Sequence, residues 1–288
     1  MSTEPQPLAW ITGANGLIGN YLVQTALRWA PAWRVRALTR ADVDLLDFAA
    51  MEHEFKKDRP QLIIHCAAVT AISDAIKNPA RSRRLNCDAT QLLAGLVREQ
   101  QFVFFSTDLV FDGMRGNYVE TDPVNPISLY GETKAIAEKM VLENPRHLVV
   151  RTSLNGGTSI SGKRGFNEQL RASLQAEGQG MTLFTDEIRS PLPASETARA
   201  VWELVRKRCT GLFHVAGQEK ISRWEIAQLL VRRWPDAKGN LRSGLARDFA
   251  GPPRALNTSL DISKVQKVLT IPLPGLGGWL AANPDEKF

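Results

Sequence analysis

The chain has 288 residues, 43% hydrophobic and 23% charged, the profile of an ordinary globular protein with one large domain or two modest ones, which excludes disordered and collagen-like architectures. Thirty-six Lys and Arg against 30 Asp and Glu leave a mildly basic net charge of +6. With no long Lys/Arg tract, that charge suits an anionic small molecule as well as it suits nucleic acid.

Cys66, Cys87 and Cys209 lie far apart, so neither a disulfide framework nor a metal knuckle is written here, and the four histidines share no ligand spacing. Residues 1–7 lack the basic and apolar regions of a signal peptide, and no run approaches the roughly 18 apolar residues of a membrane span. A soluble, cytoplasmic protein with no metal site is expected.

Leu8–Thr12 is a short apolar run ending at a glycine-rich turn, and Leu17–Ala30 follows with helical spacing until Pro31 stops it. Trp33–Thr39 alternates as a strand, Asp47–Lys57 reads as a helix capped by Asp47, and Leu62–Cys66 as a buried strand. Pro79–Glu99 is a helix, Phe102–Ser106 a strand, Gly131–Glu143 a helix and Leu148–Thr152 a strand. Such alternation builds a Rossmann-type, doubly wound parallel α/β sheet, because parallel neighbours need helical crossovers.

Beyond Ser153 the rhythm loosens. Asn155–Gly165 is rich in Gly and Ser and is expected as a loop, Phe166–Ala176 as a helix, and Met181–Phe184 as an apolar stretch. Ser195–Arg208 reads as a helix with Ser195 as its cap, Leu212–Ala216 as a strand, and Ser222–Trp234 and Leu260–Leu269 as helices. The Gly/Pro-rich Pro272–Gly278 is expected at the surface. Residues 1–153, completed by 193–210, are assigned to the sheet domain, and 154–192 with 211–288 to a smaller, discontinuous α/β lobe whose cleft would take substrate.

The turn Gly13-Ala-Asn-Gly16-Leu-Ile-Gly19 sits between the first strand and the first helix. A pyrophosphate needs backbone amides at a helix N-terminus with no side chain in the way, and these glycines supply that, at a three-three spacing instead of two-three. The second strand ends Leu38-Thr39-Arg40, without the acidic residue that holds a ribose 2′-hydroxyl. Thr39 and Arg40 suit a 2′-phosphate, which points to NADP ahead of NAD; the alternative leaves Arg40 solvated and Asp42 on the ribose.

Thr12–Gly19, His65-Cys-Ala-Ala68, Ser106-Thr-Asp-Leu-Val-Phe-Asp-Gly113, Tyr130-Gly-Glu-Thr-Lys134, Arg151-Thr-Ser153, Asp186-Glu-Ile-Arg-Ser-Pro191 and Pro253-Arg-Ala-Leu-Asn257 follow in order. Together they resemble the extended short-chain dehydrogenase/reductases, and the Ser-Thr-Asp and Asp…Ser-Pro segments resemble the dTDP-4-dehydrorhamnose reductase branch. The resemblance implies that Gly13, Asn15, Gly16, Leu17, Ile18 and Gly19 wrap the pyrophosphate and that Asp44 and Leu45 flank the adenine. It puts Cys66, Ala67 and Ala68 at the ribose with Thr70 nearby, and Ser106, Tyr130 and Lys134 on the cofactor. Asp108, Phe166, Arg189 and Arg254 are its substrate-side residues.

The implied chemistry is hydride transfer to the C4 ketone of a sugar nucleotide, in which a hydroxyl must protonate the oxygen as charge develops. A phenol with a lysine four positions on, over the same helix face, can do this, and Tyr130 and Lys134 have that spacing. Thr107, at a strand end, is placed to donate a second hydrogen bond.

Leu154 stands where the branch carries an aromatic, Glu187 where it carries an amide, and Arg189 where it carries a small residue. Arg189 is read either as a positive charge beside the substrate or as a surface arginine. Gly157-Thr-Ser-Ile-Ser-Gly162-Lys163-Arg164 falls short of a P-loop, because Arg164 cannot coordinate magnesium where Ser or Thr is required; a lid over the substrate is expected instead. The basic patches Arg81–Arg84, Arg206–Arg208 and Arg232-Arg233 read as solvated helix faces.

His65-Cys-Ala-Ala68 and its surroundings also resemble the regulatory subunit of methionine adenosyltransferase, a dinucleotide-binding protein that serves a partner enzyme. A sugar-nucleotide epimerase or dehydratase is a third alternative. A small-molecule substrate is the expected partner, not nucleic acid or membrane, and a homodimer is left open.

Overall fold

The structure is a computed structural model and describes residues 6–175, 181–234 and 241–288; residues 1–5 of the expected polar N-terminus and Ala176 of the expected helix lie outside these. Six parallel strands form the main sheet: β1 (Leu8–Thr12), β2 (Arg34–Leu38), β3 (Leu62–His65), β4 (Gln101–Thr107), β5 (Leu148–Thr152) and β6 (Gly211–His214), in the spatial order β6-β5-β4-β3-β1-β2. The strand order reverses between β1 and β3, and ligands collect outside the carboxyl ends of strands at such a switch point.

Alternate residues of each strand feed the two faces. Ala9, Ile11, Leu62, Ile64, Val103, Phe105, Leu148 and Val150 enter one core, while Leu8, Trp10, Ile63, Phe102, Phe104 and Val149 enter the other. Burial on both faces is why these strands read as unbroken apolar runs. On the first face α1 (Leu17–Trp29) packs against the helix Ala194–Arg206, where the buried Trp202 indole donates to the Leu22 carbonyl at 3.0 Å.

Several elements differ from the expected ones. The strand near Leu212, assigned to the C-terminal lobe, is β6 of the main sheet, because Gly211–His214 pairs in parallel with Leu148–Arg151. The helix of Tyr130 starts earlier, at Leu129, because the Ser128 hydroxyl accepts from the Gly131 N–H, and it runs to Leu142. Ser195 is not a cap, since its helix starts at Ala194 after Pro193. An additional helix, Ile72–Lys77, precedes the expected one at Pro79, which carries a π turn at Arg84–Asp88. Leu273 and Leu276 of the supposed surface tail are buried, and a helix begins there (Leu276–Ala282).

The C-terminal lobe has its own core, built around Phe166, Leu170, Leu183, Ile226 and Trp279. Short pairings frame it: Ile221–Ser222 runs antiparallel to Ile188–Arg189, and Arg242–Gly244 parallel to Thr182–Phe184. The capping box of Ser222 and Glu225 starts the helix Arg223–Val231 and so fixes where Arg223 emerges.

Candidate active site

A cavity of about 410 Å³ lies over the carboxyl ends of β1 and β3. Gly13 holds a left-handed conformation (φ +67°), and a Cβ there would stand 2.6 Å from the Ala67 nitrogen. A Cβ at Gly19 would meet the Gly13 carbonyl oxygen at 2.4 Å. The turn therefore closes against the end of β3 and against its own helix only with glycine in both places. Gly13, Asn15, Gly16, Leu17, Ile18, Gly19, Thr39, Arg40, Asp44, Leu45, Cys66, Ala67, Ala68, Thr70, Ser106, Thr107 and Tyr130 all line this cavity; Lys134 does not.

The residues fit a dinucleotide on a second count. The Ser106 hydroxyl is buried, lines the cavity and has no hydrogen-bond partner among the described residues. A hydroxyl left so costs about 1–3 kcal/mol, which a ligand hydroxyl or phosphate would recover. At the rim the Arg40 guanidinium is exposed, 3.3 Å from Asp44. Asp42, the alternative ribose ligand, is engaged elsewhere: it accepts from the Thr39 N–H (2.8 Å) and hydroxyl (2.6 Å).

Tyr130 is half-buried in the cavity wall, in the first turn of its helix. Loss of water around the phenol pushes its pKa above the ordinary 10, against a smaller opposing effect of the Thr107 hydroxyl. Lys134 is fully buried one turn later, its Nζ 3.9 Å from the centre of the Phe104 ring, and burial pulls its pKa down to about 7. Burial thus favours the neutral form of both groups. His65 is a satisfied core residue between the Thr12 (2.6 Å) and Thr90 (3.1 Å) hydroxyls, held neutral by burial.

A second, smaller cavity of about 180 Å³ opens beside the first, and Thr107 and Ser153 belong to the walls of both. Asp108, Leu154, Glu187, Arg189, Arg223 and Arg254 also line it. Asp108 is spent on framework: it accepts from the hydroxyls of Thr107 (3.2 Å), Ser153 (2.8 Å) and Thr258 (2.8 Å).

Glu187 is the centre of this pocket. Its buried carboxylate accepts from Arg189 (2.8 Å), Arg223 (2.8 Å) and Arg254 (2.8 and 3.2 Å). Burial alone would raise its pKa, but the surrounding guanidiniums, Arg223 foremost, hold it down at about 2. Three arginines against Glu187 and Asp108 leave one positive charge in excess.

The surface reading of Arg189 is corrected here. It is a buried part of the pocket wall, and its donors are engaged by the carbonyls of Ile188, Leu256 and Ala255 as well as by Glu187, so it gives the pocket its charge from beneath. Arg254 keeps its expected position on the pocket. Phe166 does not: it is buried in the C-terminal core with the Arg223 guanidinium 4.9 Å above its ring. Arg223 itself, 22% exposed, went unnoticed in the sequence, where only its proximity to Ser222 marks it and its partner Glu187 is 36 residues away. The loop from Gly157 is not over this pocket, since Arg164 lines the larger cavity.

This arrangement, a glycine-turn dinucleotide cradle joined by a shared wall to a small cationic pocket, defines an NAD(P)-dependent oxidoreductase. The particular family follows from comparison: residues 9–279 match the RmlD substrate binding domain, and the chain belongs to that family.

The chain is 31% identical to the Haloferax volcanii protein named "Probable low-salt glycan biosynthesis reductase Agl14", over 95% of this chain and 96% of that one. It is 28% identical to methionine adenosyltransferase 2 subunit beta of Xenopus laevis, over 92% of this chain and 84% of that one. The solved dTDP-4-dehydrorhamnose reductase from Bacillus anthracis, a complex with NADP, shares the fold at a TM-score of 0.87 and 23% identity, over 96% of this chain and 98% of that one. The solved hypothetical dTDP-4-dehydrorhamnose reductase from Sulfolobus tokodaii is 30% identical over 93% of this chain and 97% of that one, at a TM-score of 0.82, so the resemblance seen in the motifs is borne out.

Proposed function

We propose that the chain is a cytoplasmic, NADP-dependent reductase of a 4-keto sugar nucleotide, with dTDP-4-dehydrorhamnose or a close relative as substrate. The observation that carries this reading is the wall of Thr107 and Ser153 common to the two cavities. A ketone held against that wall stands beside the dinucleotide, with the cationic pocket available to the rest of an anionic substrate. Bound NADPH supplies the hydride.

Tyr130 donates the proton to the ketone oxygen. Its raised pKa keeps the phenol protonated at neutral pH, and an alkoxide is far more basic than a phenolate, so transfer stays downhill. Thr107 turns its O–H from Asp108 to the same oxygen, while the Lys134 amine, buried behind the cavity wall, would swing out from beside the Phe104 ring to hold the nicotinamide ribose. Arg40 at the rim supports NADP ahead of NAD, because its exposed guanidinium can pair with a 2′-phosphate while Asp42 is occupied.

The test follows NADPH absorbance with purified protein and freshly generated dTDP-4-dehydro-6-deoxy-L-mannose, with NADH in parallel. Substrate-dependent oxidation, faster with NADPH, is expected; bound cofactor with no oxidation would sink this substrate. Tyr130→Phe should lower turnover by about 10²–10⁴-fold with cofactor affinity within about twofold, and unchanged turnover would remove Tyr130 from the mechanism.

The similarity to methionine adenosyltransferase subunit beta favours a second reading, a dinucleotide-binding regulatory subunit. A stoichiometric complex with the catalytic subunit, and no ketone reduction across a sugar-nucleotide panel, would select it. Net NADPH consumption would exclude an epimerase or dehydratase.

A further inference from the structure

One carboxylate organises the loop from Gly157 to Gly165. Glu168 accepts hydrogen bonds from the Ser159 N–H (2.7 Å), the Ser159 hydroxyl (2.7 Å), the Arg164 N–H (2.8 Å) and the Gly165 N–H (2.8 Å). The loop docks on the start of α1, where the Thr158 N–H donates to the Tyr21 hydroxyl at 3.1 Å and the Asn20 amide reaches the Thr158 carbonyl at 3.5 Å. Its place is thus beside the glycine turn, and Arg164 belongs to the same cavity wall as Gly13, Asn15 and Gly16. The hydrogen bonds that Arg164 makes within the loop use its backbone N–H, so among the described residues its exposed guanidinium is uncommitted.

The turn from Gly13 to Gly19 carries no charged side chain and offers a pyrophosphate only backbone amides. We propose that Arg164 supplies the missing cation: the loop is a clamp on the cofactor, and Arg164 binds the pyrophosphate of the dinucleotide through its planar, two-pronged guanidinium. This rests on the reading of the large cavity as a nicotinamide dinucleotide site, and not on which ketone is reduced.

The experiment is titration of NADPH and of NADH, followed by the fluorescence of the bound nicotinamide, into the full chain, three single variants and one double variant. Arg164→Ala should raise the Kd of both cofactors by about tenfold, since the pyrophosphate is common to them and a charge-assisted bond is lost. It should also flatten the dependence of Kd on salt. Lys163→Ala, an exposed neighbour that does not line the cavity, should change either Kd by less than about twofold. Glu168→Gln, which loosens the loop, should weaken both cofactors and add nothing in the Arg164→Ala background.

A rise of less than about fivefold for Arg164→Ala overturns the proposal, as does an equal loss for Lys163→Ala, which would mean a diffuse field. A loss confined to NADPH would move Arg164 to the 2′-phosphate and also overturns it. These titrations need no substrate, so they remain decisive if the sugar nucleotide proves wrong; a wild-type chain that binds neither cofactor would instead sink the dinucleotide reading itself.

Discussion

Replacing Glu187 with Gln keeps the size and one acceptor oxygen but removes the charge that three guanidiniums share. A carboxyl held at about 2 instead of its ordinary 4.5 contributes roughly 3 kcal/mol to stability at neutral pH. The cost measured when one partner of a buried pair is removed, about 3–5 kcal/mol, is of the same size. Because the folded pKa lies below the unfolded one, this contribution is fully present above pH 4.5 and is lost as the pH falls through 2. Urea unfolding at pH 7 should therefore separate wild type from Glu187→Gln by about 3 kcal/mol, and the gap should shrink to under about half of that at pH 3. In the reductase assay the variant should raise KM for the anionic substrate more than it lowers kcat, since Arg223 and Arg254 lose the anchor that aims them. A gap below about 1 kcal/mol at pH 7, or one that does not change with pH, would refute the idea that the three arginines depend on this carboxylate.

Gly13→Ala places a Cβ 2.6 Å from the Ala67 nitrogen at a left-handed φ, so thermal unfolding should show a loss of about 1–3 kcal/mol and dinucleotide titration at least about a tenfold weakening. Glu138→Ala strands Arg151, whose guanidinium makes paired bonds to it at 2.9 and 2.7 Å between β5 and the helix Leu129–Leu142, and should cost about 3–5 kcal/mol in urea unfolding. Arg40→Ser should weaken NADPH about tenfold and NADH less than twofold in the same titration; equal effects on both would take Arg40 off the 2′-phosphate.

The dinucleotide half of the molecule was legible because its signals are local. Phe102–Phe105 reads as a buried strand since both faces of the sheet are covered, and the glycine turn declares itself by spacing and by its position between β1 and α1. Where burial is decided by distant partners the sequence misleads. Pro272–Gly278 has the composition of a surface tail, yet Leu273 and Leu276 fill space against other elements. The surface alternative for Arg189 arises because a charge is seldom buried, and the carbonyls of Ala255 and Leu256 that satisfy it lie 66 and 67 residues away. Phe166 matched a substrate position in the motif, but helical packing turned it into the core and left its place at the pocket to Arg223.

The smaller cavity, about 180 Å³, is well below the roughly 300–1,000 Å³ of sites that enclose a whole small molecule. On the proposed reading, a sugar nucleotide would place its sugar there and leave its diphosphate and base at the mouth, where Arg223 and Arg254 are 22% and 28% exposed. The pocket therefore divides its arginines by burial. Arg189 holds Glu187 and the strand beneath it, while the outer pair retain N–H donors that are unspent among the described residues. The dinucleotide cradle alone does not separate a reductase from a regulatory subunit, because a glycine turn serves either. The division of the arginines does bear on it: a buried carboxylate that aims two half-exposed guanidiniums at the mouth of a sugar-sized hole is useful to a protein that must hold a charged substrate still, and has no evident use in one that only docks on a partner.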